Sequence, residues 1–142
     1  MTDLTITVRK TVQAPIEKVF DAWLDPETLP KFIIPMKGMA EPEVVNEPHV
    51  GGKFTIIMRP GNEPLPHTGE YIEISRPNKL IFTWVSDHSV EGSTVTLDFT
   101  EIDQSTTEVL LTHVKFLDEQ AKSDHKGGWT SILEELGNYM EG

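Results

Sequence analysis

The sequence contains no cysteine. That excludes disulfides, a thiol nucleophile and a thiolate metal site. Cations are scarce, with 12 Lys and Arg against 23 Asp and Glu, for a formal net charge of -11. Arg9 and Lys10 are the only adjacent basic pair. Nucleic acids and anionic membranes recruit clustered cations, so neither is an expected partner. No apolar run approaches the ~20 residues that span a bilayer. The opening MTDLTITVRK lacks the basic-then-apolar layout of a signal peptide. What remains is 37% hydrophobic and 25% charged, a globular balance. The expectation is one soluble, cytoplasmic domain spanning residues 1–142, without a membrane span.

The apolar residues recur with two periods. Leu4, Ile6 and Val8 alternate with Thr5, Thr7 and Arg9, which reads as a half-buried strand. Pro15 then suits the first turn of a helix whose stripe is Ile16, Val19, Phe20, Trp23 and Leu24. Asp25-Pro26-Glu27 can start a second short helix ending near Lys31. Residues 32–52 hold Phe32, Ile33, Ile34, Met36 and Met39 among prolines and glycines. They read as a long connection, a lid or a plug for the core, with a short strand near Glu43–Val45.

From Gly52 the alternation is that of strands. Phe54, Ile56 and Met58 are followed by residues 67–75, then by Leu80, Phe82 and Trp84. Val95, Leu97 and Phe99 come next, and Val109, Leu111 and His113 close the run. Hairpin-length loops between them describe an antiparallel meander. Trp129, Ile132, Leu133, Leu136 and Met140 fall on one face of a terminal helix of roughly four turns. Gly127-Gly128 marks a kink in it or a close approach to the sheet. A sheet with one wet face must cover the other, and only this helix is long enough to do so. The fold class is therefore α+β, a curved antiparallel sheet around a long C-terminal helix. A cylinder on a concave surface leaves a space between them.

Several ordered stretches resemble the heat-shock-protein-90 ATPase activator homologue family of the START and birch-pollen-allergen-like superfamily. They are Ala14-Pro15-Ile16-Glu17-Lys18-Val19-Phe20-Asp21-Ala22-Trp23, Gly51-Gly52-Lys53-Phe54, Gly69-Glu70-Tyr71, Pro77-Asn78-Lys79-Leu80-Ile81-Phe82-Thr83-Trp84, Leu111-Thr112-His113, and Gly128-Trp129 before Leu133 and Leu136. The resemblance implies the helix-grip fold. Members of that family often carry tryptophan where this chain has Phe32-Ile33, which implies, if that segment lines a pocket, a wider or differently shaped pocket here. The resemblance also implies a chaperone contact as an alternative role. Superfamily relatives further include cyclases and hydrolases.

Catalytic motifs are missing: no Gly-x-Ser-x-Gly, phosphate loop, Gly-x-Gly-x-x-Gly or His-Glu-x-x-His occurs. No catalytic residue, metal site or cofactor is assigned. Asp87-His88 and Asp124-His125 would make a metal site only if their loops met. His113 shares the inward parity of Val109 and Leu111, as a core histidine or a polar contact in a cavity. Glu70 faces inward if its strand is regular through Ile72 and Ile74, and outward, with Tyr71 inward, if a bulge intervenes. Trp84 and Trp129 are core anchors or a stacking platform for a flat ligand. The ligand-binding expectation names Phe32, Met58, Glu70, Trp84, His113, Trp129 and Leu133, and a small apolar molecule as partner.

Overall fold

The computed structural model describes residues 4–34, 40–59, 63–86, 89–116 and 118–141. Its elements run β1 (Thr5–Val12), α1 (Ile16–Ala22), α2 (Leu29–Phe32), β2 (Glu43–Asn46), β3 (Lys53–Met58), β4 (Leu65–Ser75), β5 (Lys79–Thr83), β6 (Ser89–Asp103), β7 (Thr106–Phe116) and α3 (Glu119–Glu141). The strands form one seven-stranded antiparallel sheet in the order β1-β7-β6-β5-β4-β3-β2. This curved sheet around a long terminal helix is the helix-grip architecture.

Two rows of inward side chains cross the sheet. Tyr71, Phe82, Val95, His113 and Ile6 are neighbours in one. Ile74, Leu80, Leu97, Leu111 and Val8 are neighbours in the next. Against them α3 buries Trp129, Ile132, Leu133, Leu136 and Met140, the stripe expected from its spacing. The outer face carries threonines and charges, because alternate residues of a strand point to opposite faces.

The structure corrects several local readings. The short strand expected near Glu43–Val45 within the 32–52 connection is present as β2, an edge strand paired along its length with β3. Residues 35–39 of the expected lid lie outside the described residues. Asp25 folds its carboxylate back onto the Glu27 N–H (3.0 Å) and the Thr28 hydroxyl (2.8 Å). That turn delays α2 to Leu29, leaving a four-residue helix. The last helix is one piece of 23 residues, started by the Asp118 carboxylate accepting the Ala121 N–H at 2.8 Å. It runs through Gly127-Gly128 without a break, and a methyl at Gly127 would meet nothing within 4 Å. The close approach lies one face along, at Gly137, where the Lys10 Cε of β1 would sit 2.9 Å from an added Cβ.

Candidate functional site

The inner face of β3–β5 is aromatic. Phe54 stands edge-on to Phe82 at 5.4 Å and tilted against Tyr71 at 5.4 Å. Trp84, just past β5, lies 4.9 Å from Trp129 of α3, ring to ring. Gly69 permits this cluster: a methyl there would overlap the Thr83 carbonyl and the Phe54 ring. Trp23, at the end of α1, closes the opposite side and stands edge-on to Phe32 at 4.9 Å.

A small hollow remains between these elements. Its wall is Trp23, Leu29, Ile33, Phe54, Ile56, Tyr71, Phe82, Trp84 and Trp129. Its volume is about 20 Å³. That is room for one water molecule, not for an organic ligand in this closed form. The sequence reading expects a larger space. Phe54, Phe82, Tyr71 and three indoles fill most of it.

Of the seven residues expected at the site, Trp84 and Trp129 wall the hollow. Phe32 is buried one layer behind Trp23. Met58 and Leu133 are buried in the core away from the wall. His113 stands behind Trp129, joined to it by a hydrogen bond. Glu70 is on the outer, exposed face, which corrects its inward placement. The reason is a bulge between Tyr71 and Glu73. It separates the half-buried Ile74 from Ile72, which is 48% exposed. Inward parity upstream therefore belongs to His67, Gly69 and Tyr71, and Glu70 shares the wet face with Ile72.

The buried polar groups are tightly interlocked. The Trp129 Nε1–H donates to His113 Nδ1 at 2.9 Å. An indole N–H can only donate, so Nδ1 is the accepting nitrogen and the imidazole proton sits on Nε2. From there it is donated to Ser93 Oγ at 2.7 Å. Burial, and then the neighbouring His125, hold the His113 pKa at about 3, so the ring is neutral near pH 7. A serine hydroxyl that accepts a hydrogen bond from the protonated Nε2 finds no base in that nitrogen. This pair is consequently not poised as a nucleophile and its base.

Tyr71 has its pKa raised by burial, partly opposed by the hydrogen bond from Asn46 Nδ2 at 3.0 Å. The same amide donates to the Leu24 carbonyl at 2.8 Å, tying β2 to the end of α1. His67, which the sequence reading passed over, is buried with its ring 4.9 Å from Trp84. Its alternation with Gly69 and Tyr71 was the available signal. Among the described residues, the indole N–H groups of Trp23 and Trp84 are buried and have no acceptor.

Among the described residues no cluster of three or more His, Cys, Asp or Glu is arranged to hold a metal. Asp87-His88 lies outside the described residues. The Asp124 carboxylate accepts from Gln120 at 2.9 Å, while the His125 Nδ1–H donates to the Ala121 carbonyl at 2.7 Å. No described helix is long and apolar enough to cross a membrane.

Comparisons with known proteins bear on this fold. Residues 13–141 match the family model described as activator of Hsp90 ATPase homolog 1-like protein. No curated protein matches the chain in sequence. Among solved structures, protein CV1439 of Chromobacterium violaceum superposes with a TM-score of 0.82 at 20% identity, covering 97% of each chain. PFC0360w of Plasmodium falciparum, described as an HSP90 activator, has a TM-score of 0.78 at 24% identity, covering 97% of this chain and 96% of its own. CalU16 of Micromonospora echinospora has a TM-score of 0.76 at 25% identity, covering 97% of this chain and 76% of its own. The first two show shared fold.

Proposed function

The chain belongs to the activator of Hsp90 ATPase homolog 1-like family, and within it we propose that this protein binds a small, largely apolar molecule between its sheet, α2 and α3, in the cytoplasm. One observation carries this reading: the gap left by the helix grip is walled by aromatic and aliphatic side chains alone. Burying an apolar body there is favourable at roughly 25 cal/mol per Å². A hollow of about 20 Å³ admits such a body only when a wall moves. The wall that moves in this reading is the short α2, four residues long, which contributes Leu29, with Ile33 at its end. The Ser131 hydroxyl bond to the Ile34 carbonyl (3.0 Å) ties its end to α3 and gives way on entry.

The site binds rather than reacts. The titratable group on its wall, Tyr71, has its pKa raised by burial, and His113, behind Trp129, is neutral and has both ring nitrogens occupied. A panel of uncharged aromatic compounds tests the reading by thermal shift. The expected result is a concentration-dependent rise in melting temperature that Ile56→Phe, which fills the hollow, removes while leaving the circular dichroism unchanged. No rise across the panel for the wild-type chain contradicts it.

A second reading is a chaperone contact. The family description and the description of PFC0360w support it. It needs no cavity, so the tight interior favours it. It predicts stimulation of a chaperone's ATPase rate that Ile56→Phe leaves intact.

A further inference from the structure

Resting on the reading that the hollow admits an apolar molecule, we infer that this molecule carries hydrogen-bond acceptors, such as a ketone, ester or ether oxygen, and is recognised by the indole N–H groups of Trp23 and Trp84. The wall residues have four polar side-chain atoms between them, three indole nitrogens and the Tyr71 hydroxyl. Two are in use: Trp129 Nε1 donates to His113, and the Tyr71 oxygen accepts from Asn46. The other two, on Trp23 and Trp84, are donors with no acceptor among the described residues. Both tryptophans are 3% exposed, so bulk water does not serve them.

Native interiors rarely leave a buried donor unpaired, and each such group calls for a partner. An indole nitrogen cannot accept. The unpaired chemistry of this wall is thus one-sided. A ligand oxygen that only accepts finds two unpaired donors here, whereas a ligand N–H or O–H donor meets only the Tyr71 oxygen, which already accepts from Asn46. Among the described residues the remaining buried orphan, Asn46 Oδ1, is an acceptor, but Asn46 is not among the wall residues. Trp23 and Trp84 stand on different elements, at the end of α1 and just past β5. A ligand bonded to either is therefore oriented across the gap.

Indane and indanone are the matched test pair, the second adding one carbonyl and no donor. In an apolar pocket without donors the ketone binds more weakly, because its desolvation costs more. Isothermal titration of the wild-type chain is expected to show indanone bound at least as tightly as indane. Trp84→Phe or Trp23→Phe is expected to shift the indanone-to-indane affinity ratio against the ketone by about tenfold. Indole N–H resonances give a second readout that needs no variant. Indanone moves the Trp23 or Trp84 signal downfield, indane does not, and the Trp129 signal, already bonded to His113, stays. If both probes bind but the ketone is weaker in proportion to its water preference, and no indole signal moves, the inference is overturned and the binding reading stands. If neither probe binds, the binding reading falls and the inference with it.

Discussion

Acid should destabilise this protein through one residue in a calculable way. His113 is fully buried, and its pKa is about 3 against an ordinary 6.5. The unfolded chain therefore binds a proton that the folded chain refuses. Stability from this group is complete above about pH 6.5 and is lost progressively as pH falls toward about 3. At about pH 4.5 the loss is two pH units' worth, or roughly 3 kcal/mol at about 1.4 kcal/mol per unit. Other groups titrate over the same range, so the control is His113→Gln. Glutamine can accept from Trp129 through Oε1 and donate to Ser93 through Nε2, keeping both bonds without a titrating group. Urea unfolding of both proteins between about pH 7.5 and 4.5 isolates the contribution of His113. The wild-type advantage over the variant is expected to shrink by roughly 3 kcal/mol across that range. Parallel curves would refute the assignment of a neutral, desolvated His113.

Other expectations follow from single positions. Gly69→Ala drives a methyl into the Thr83 carbonyl and the Phe54 ring, so urea midpoints should report a loss of about 2–3 kcal/mol; an unchanged midpoint contradicts that packing. Gly127→Ala adds a methyl that meets nothing, and should stabilise α3 by about 0.5–1 kcal/mol in the same assay. Arg76 grips the Asp21 carboxylate at 2.8 and 2.9 Å and holds its pKa down, yet both side chains are about half exposed. Asp21→Asn should cost under about 1 kcal/mol, and less in high salt; a larger loss that is insensitive to salt would speak against a solvent-screened pair.

Much of the architecture was legible because two periodicities dominate the chain. The alternation around Phe54, Leu80, Val95 and Val109 reads as strands, and the Trp129-to-Met140 spacing reads as a helix face, as observed. The site was less legible. A two-residue period carries side-chain direction only until the ladder slips, and the bulge after Tyr71 selects the outward one of the two faces the sequence left open for Glu70. The same slip turns His67 and Tyr71 inward. Trp23 reads as one more residue of an apolar helical stripe, and nothing local shows that α1 ends there against the gap. Trp129 and His113 could each be expected inside. That they bond to one another, and so fix a tautomer, depends on the pairing of a helix with a strand distant in sequence. The volume of the gap depends on how aromatic rings from β3, β4, β5, α1 and α3 interlock, which no periodicity records.

Energy transfer from the indoles to an uncharged fluorophore such as phenylnaphthylamine tests the interior site most directly, since Trp23, Trp84 and Trp129 wall it. The account predicts saturable one-to-one binding, sensitised emission of the fluorophore with quenching of tryptophan emission, and loss of both in Ile56→Phe. Emission that never saturates, or that survives unchanged in the filled variant, would contradict an occupant between the sheet and its helix.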